Sequence, residues 1–206
     1  MTQRLQIHAT HPQPRLINRV VETLQRGDII VYPTDTAYAL GCHIGDKNAQ
    51  ERIQQIRGLD KNHNFTLVCQ NLSELGTYAR VDNSVFRLLK AYTPGAYTFI
   101  LPASHEVPKR LQNPKRKTIG LRVPDHPIAS AILGVLGEPM MSVSLLLPGD
   151  TLPLFDPDEI YEQLNGKVDL IVDSGTLLPE VTTVVDLVEG VPHVVRRGKG
   201  DPAPFV

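Results

Sequence analysis

The chain predicts an α/β domain: a mixed sheet with flanking helices. Three observations carry this. Short apolar runs alternate with stretches whose apolar residues recur at helical spacing, which is how strands and helices of one layered unit read. The alternation is irregular, and no GxGxxG, Walker A, HExxH or GxSxG motif follows any run. That separates the pattern from a regular dinucleotide-binding repeat and from the common hydrolases. A length of 206 residues suits one domain, and such a chain buries roughly 70% of its unfolded surface, enough for a continuous core.

The elements follow in order. Residues 13–26 place Leu16, Ile17, Val20, Val21 and Leu24 on one helical face, and Gly27 stops the helix. The run 29–33 (IIVYP) is a strand ended by proline. Residues 46–57 form a helix with Asp46 as N-cap and Ala49, Ile53 and Ile56 as its stripe. A strand at 65–69 precedes helices at 72–79 and 84–92, the second broken by Pro94-Gly95. Strands follow at 97–101 and 118–123, then a helix at 127–136 with proline in its first turn. Strands at 140–146, 168–172, 181–187 and 193–196 complete the sheet. A helix at 157–164 is capped by Asp156, with Asp158 and Glu159 at its positive end. The three prolines of 147–157 mark a surface loop, and the basic stretch 108–117 marks another.

A net charge of −1 argues against wholesale polyanion binding but leaves room for a local basic cleft. Cys42 and Cys69 lie apart in apolar segments, so two reduced, buried thiols are expected. His8 and His11 have no neighbouring carboxylate, so no metal site is expected there. The N-terminus lacks the apolar segment of a leader, and no run approaches the ~20 apolar residues of a membrane span. A cytoplasmic protein without membrane contact is expected.

Candidate chemistry sits where strands end, because ligands of α/β sheets bind there. Thr34 and Thr36 follow a strand and could donate to a carboxylate or phosphate, or cap a turn with Asp35. Arg57 closes a helix, where a cation also complements the helix dipole. Arg122 stands inside an apolar strand, so it either faces a cleft or sits in a core ion pair, because a lone buried charge is very costly. Ser142 and Ser144 share a strand face. Thr182 and Arg196 begin and end neighbouring strands, where ordinary solvated strand positions are the alternative. Hydroxyls and guanidiniums without a nucleophile–base pair suit holding anions and catalysis by positioning rather than covalent chemistry.

These segments resemble the YrdC/YciO family. The matching stretches are YPTDTAYALG (32–41), RGLDKNHNFTLVC (57–69), TPGAYTFIL (93–101), TIGLRVPDHP (118–127), SVS (142–144), TTVVD (182–186) and VVRRG (194–198). The resemblance implies a single domain over 1–206, with a core of about 12–198. Its twisted mixed sheet would carry a large concave basic cleft. It further implies threonylcarbamoyl-AMP synthase chemistry: threonine, bicarbonate and ATP, with Mg²⁺ accompanying ATP, give threonylcarbamoyl-AMP and pyrophosphate for the t6A modification of tRNA. By position, Thr34, Arg122, Ser144 and Thr182 would bind threonine, and Arg57, Lys61, Thr118 and Arg196 would bind ATP.

The chain departs from the KxR…SxN signature of active synthases and is similar to the YciO branch. Arg57 stands for lysine, Leu59 for arginine and Leu146 for asparagine, and Asp35 replaces the usual glutamate. Losing one cation at a triphosphate is worth ~2–4 kcal/mol of transition-state stabilisation, roughly 30- to 1,000-fold in rate. Lys61, in the same loop, would restore part of that charge. Weak or altered synthase activity is therefore one expectation. The other is a non-catalytic protein that binds double-stranded RNA or tRNA, with Lys109, Arg110, Lys115, Arg116 and Lys117 as its basic contact.

Overall fold

The two-residue alternation of the strands sorts their side chains onto two faces, and that sorting positions everything else. The computed structural model describes residues 1–60 and 62–206. Ten strands among them form one sheet: β1 (Gln3–Gln6), β2 (Ile30–Pro33), β3 (Tyr38–His43), β4 (Thr66–Val68), β5 (Tyr97–Pro102), β6 (Thr118–Arg122), β7 (Met140–Ser144), β8 (Leu170–Asp173), β9 (Thr183–Asp186) and β10 (His193–Arg196). Their order across the sheet is β1-β8-β2-β3-β7-β4-β6-β5-β9-β10. Parallel pairs such as β4 with β6 and β5 with β9 sit beside antiparallel ones such as β3 with β7 and β5 with β6. The sheet is mixed, as expected.

The helices are α1 (Pro14–Gln25), α2 (Lys47–Arg57), α3 (Leu72–Tyr78), α4 (Asn83–Tyr92), α5 (Pro127–Leu136) and α6 (Pro157–Leu164). Their ends are chemically specified. The Asp46 carboxylate accepts from the Ala49 amide, and Asp156 accepts from the amides of Asp158 and Glu159. Asn71, Asp82 and His126 cap α3, α4 and α5 in the same way. Each cap contributes about 1 kcal/mol by satisfying an orphan amide.

Ile29, just before β2, and Val31 within it enter one apolar cluster, whereas Ile30 and Tyr32 enter another on the opposite face. The first and larger cluster holds Leu40, Leu67, Leu121 and Val143 against Ile53 of α2, Leu75 of α3, Leu89 of α4 and Ile160 of α6. The second packs Ile30, Tyr32, Leu170 and Val172 against Val20 and Leu24 of α1 and Ile132 and Leu133 of α5. Cys42 and Cys69 are free and buried, as expected.

Two strands were not anticipated. β1 adds parallel to β8 although its residues are mostly exposed and polar. β3 pairs with β2 through Pro33 and Tyr38, so the turn read around Thr34 and Asp35 is a hairpin turn of residues 34–37, and an unexpected strand follows it. Two expectations narrow or widen. The strand expected at 140–146 ends at Ser144. The packed unit extends beyond 12–198: β1 precedes it, and buried Phe205 packs edge-on against Tyr92 and Tyr97.

Candidate ligand-binding cleft

Helices α1 and α5 cover only part of the second face. Beyond Met140 of β7 and Val68 of β4, which still pack in that cluster, the face carries many small and polar side chains around an open cavity. There Thr34, Arg57, His63, Thr66, Thr98, Gly120, Arg122, Ser142, Ser144, Thr182 and Arg196 line a cavity of about 240 Å³ with apolar walls that include Phe65, Ile100 and Val184. Gly120 keeps its floor open: a Cβ there would lie 2.8 Å from Thr66 Oγ1 and 3.1 Å from the Phe65 carbonyl.

The turn after β2 is built by Thr34. Its hydroxyl donates to the Ala37 carbonyl at 2.6 Å and accepts from the Thr36 amide at 3.2 Å. Thr34 thus shapes the turn, with its hydroxyl proton given to Ala37, and it also lines the cavity. Asp35 does more than cap. Its carboxylate pairs with the Arg122 guanidinium and accepts from the Asp125 amide at 3.0 Å. Arg122 also donates to Thr36 Oγ1 at 3.1 Å. With its side chain 9% exposed and that of Asp35 11% exposed, Arg122 is a cleft-wall residue that is also half of a buried ion pair.

Arg57, at the end of α2, donates to the Leu146 carbonyl across the cleft. Burial lowers its pKa from the ordinary arginine value. Arg196 donates to the Thr182 carbonyl at 2.9 Å and to the Thr182 hydroxyl at 2.9 Å, and Thr182 in turn bonds Thr98 at 2.9 Å. Partial loss of water, then the Arg122 charge, lowers the Arg196 pKa. The cavity lining contains three arginines and no carboxylate. The Nε atoms of Arg57 and Arg122 are buried without a hydrogen-bond partner among the described residues. The Nε of Arg110, outside the cavity, is in the same state.

Six of the eight expected site residues therefore meet in one cavity: Thr34, Arg57, Arg122, Ser144, Thr182 and Arg196. Thr118 does not. It shares the face of Gly120 and Arg122, but it is buried beside Pro102, and four residues of strand put it about 13 Å from Arg122. The ATP contact expected of it has no counterpart in the cavity. Lys61 lies outside the described residues. Leu59 and Leu146 are also outside the lining, and Leu59 packs against the larger apolar cluster. Of the basic cluster, Arg110 turns inward to donate to the Ile44 carbonyl, and Arg116 pairs with Asp186 at 2.7 Å. Among the described residues no group of three or more His, Cys, Asp or Glu is placed to hold a metal ion, and no helix is long and apolar enough to cross a membrane.

Sequence reasoning passed over Thr66, Thr98 and His63. Both threonines occupy the strand face opposite the apolar one, a signal visible in TLV and TFIL once the faces are known. His63 has no such signal, because it lies in a loop.

The family model for Sua5, YciO and YrdC proteins, described as "Telomere recombination", matches residues 22–198. The chain belongs to this Sua5/YciO/YrdC family. It is 57% identical to a protein from Escherichia coli K12 named uncharacterized protein YciO, over 206 residues that cover all of both chains. The crystal structure of E. coli YciO superposes with a TM-score of 0.97 over all of both chains. A threonylcarbamoyl-AMP synthase of Pyrococcus abyssi is 29% identical over 177 residues, 85% of this chain but only 52% of that relative. The structure of P. abyssi Sua5 complexed with L-threonine superposes with a TM-score of 0.87 at 25% identity, covering 96% of this chain and 58% of that one. Within the family, this chain thus has the extent and backbone of YciO, and it matches about half of the longer synthase.

Proposed function

We propose that the cleft binds ATP and threonine and joins them with bicarbonate into threonylcarbamoyl-AMP, at a rate or with a substrate preference altered from that of signature-bearing synthases. The observation that carries this reading is the lining itself, which among the described residues has three arginines and no carboxylate. Guanidiniums match phosphate and carboxylate oxygens in fork geometry. The likeness to a relative crystallised with L-threonine supports an amino-acid subsite beside them. A cavity of about 240 Å³ is smaller than the ~300–1,000 Å³ of typical ligand pockets. A nucleotide would therefore fill it and extend over the open side of the sheet.

In this reading the threonine amine and bicarbonate give a carbamate and water. A carbamate oxygen attacks the α-phosphate, and pyrophosphate leaves. Arg57, Arg122 and Arg196 offset the phosphate charge, and the Thr34, Ser144 and Thr182 hydroxyls orient the amino acid, so catalysis is positioning and electrostatics. The lining supplies no carboxylate, so these residues do not fit a protein-held Mg²⁺. Magnesium would arrive as part of the nucleotide.

The test is the purified protein with ATP, bicarbonate and labelled threonine. Threonylcarbamoyl-AMP and pyrophosphate in equal amounts are expected. ATP binding without product would sink the synthase reading, and no binding of ATP at millimolar concentration would sink the nucleotide site as well. A rise in Tm on adding ATP gives a second readout of binding.

A further inference from the structure

His63 lines the same cavity as Arg57, Arg122 and Arg196, and nothing so far uses it. It sits in the loop between α2 and β4. Its backbone amide donates to the Asp60 carbonyl at 3.4 Å, and its ring meets the buried Phe65 ring edge-on at 5.6 Å. The neighbouring Asn64 is tied to Asn113 at 2.8 Å. The imidazole is therefore held at the cavity wall, and among the described residues its ring nitrogens have no hydrogen-bond partner.

The other charged groups of the lining are arginines, which do not titrate in proteins. Among the described lining residues His63 alone can change its charge near neutral pH. Burial first, then the Arg57 charge, lowers its pKa below the ordinary histidine value, and Asp60 pulls weakly the other way. Arg196 and Arg122, the latter paired with Asp35, line the same cavity, and neither is among the charges that shift the His63 pKa. These surroundings favour the neutral ring. A phosphate chain brings more than one negative charge into the same space and reverses the sign of the field at the ring.

We propose that His63 is a further binding residue of this cleft, which takes up a proton as a phosphate-bearing ligand enters and then donates to a phosphate oxygen. The proton comes from solvent, and no covalent bond changes. The inference rests on the proposed function only in requiring that the cleft accept phosphate. It adds a pH dependence that the arginines alone do not supply: ligand binds more tightly as pH falls through the ring's ligand-bound pKa, and the gain levels off below its ligand-free pKa. One unit between the two corresponds to about tenfold in affinity.

The experiment is calorimetric titration of the protein with inorganic tripolyphosphate at pH 7 in two buffers of different protonation enthalpy. Running wild type and His63→Gln side by side cancels protonation of the ligand itself and of other histidines. Greater proton uptake by wild type is expected, with a difference of about half a proton where the ring's pKa rises by one unit. So is an affinity gain from pH 8 to pH 6 that exceeds the variant's gain by about tenfold. In parallel, proton NMR titration of the His63 ring in wild type should show its pKa rising on adding tripolyphosphate, a readout independent of whether the variant folds. Binding with equal uptake in both proteins and an unmoved ring pKa would overturn the proposal and leave the anion site standing. No binding of tripolyphosphate would overturn both. Binding with the expected proton uptake in a protein that makes no threonylcarbamoyl-AMP would support the role of His63 and remove only the synthase reading.

Discussion

One face of the sheet is used in two opposite ways. Over β8 and β2 it presents Leu170, Val172, Ile30 and Tyr32, and helices α1 and α5 roof it. Further across, Met140 of β7 and Val68 of β4 still join that cluster, but beyond them the face presents Ser142, Thr66, Gly120, Arg122, Thr98 and Thr182 to a cavity. Burial of a large apolar side chain contributes ~1.5–3 kcal/mol, so the first half holds its helices. The second half offers a helix little to bury, and its guanidiniums would lose their hydration beneath one. The cleft exists because the strands stop being apolar on that side, whereas on the opposite face the same strands continue as core through Leu67, Leu121 and Val143.

The largest test of this contrast is Arg122→Met. It would leave the Asp35 carboxylate buried without its partner, and breaking such a pair costs about 3–5 kcal/mol. Urea denaturation should show that loss, and ATP or threonine binding should vanish with it. The double variant with Asp35→Asn should regain most of the stability and none of the binding. If the single variant stays as stable as wild type, the ion pair is not a structural part of the cleft wall.

In the roofed half, Ile30→Ala should cost ~2–5 kcal/mol by opening a cavity under α1 and α5, while ligand affinity per folded molecule stays within twofold. A large affinity change at that position would mean that the two halves are coupled. In the open half, Gly120→Ala should cost ~1–3 kcal/mol by overpacking, because its Cβ would meet Thr66 Oγ1 at 2.8 Å. It should also weaken ligand binding, since the floor rises. Leu59→Arg should lower Tm without raising turnover, because Leu59 packs against the apolar cluster and lies outside the cleft. A gain in threonylcarbamoyl-AMP formation would show that the lost signature arginine still has its place at the nucleotide.

The smallest effect is on pH. Burial lowers the pKa of both His63 and His126 from the ordinary histidine value. The folded state therefore binds these protons less readily than the unfolded chain, and stability should fall as pH drops from above the unfolded value of ~6.5 through the lowered values. Tm measured from pH 7.5 to 5.5 should decline, and His63→Gln should flatten part of that decline. Saturating ATP should reduce the His63 share, because a bound anion favours the charged ring.

Most of the framework was legible because local chemistry specifies it. Asp46 and Asp156 announce helix starts through their side-chain caps, and amphipathic α1 follows from the spacing of Ile17, Val20, Val21 and Leu24. β1 was illegible because its residues are polar and exposed, and only the edge of β8 makes them a strand. β3 was hidden by its glycine and by the polar turn before it. Gly41 sits against the Tyr32 ring, where a Cβ would come within 3.0 Å, a reason for glycine that no local pattern reveals.

The residues of the cleft divide along the same line. Arg122 was legible by itself, because a guanidinium in an apolar strand must be paired or face a cavity, and here it does both. The sequence also determined the supply of guanidiniums and hydroxyls at strand ends. What only the tertiary structure decided is which of them meet. Thr118 and Arg122 lie on one strand face, yet only Arg122 reaches the cavity, because the lining is completed by β4 and β5 beside it, by β7 and β9 beyond them, and by the turn at Thr34. Arg57 arrives from the end of α2 and His63 from the loop after it, Thr182 from just before β9 and Arg196 from β10 at the far side of the sheet. Residue type fixes what a side chain can bind, but convergence depends on strand order, and strand order is a long-range property that no window of sequence contains.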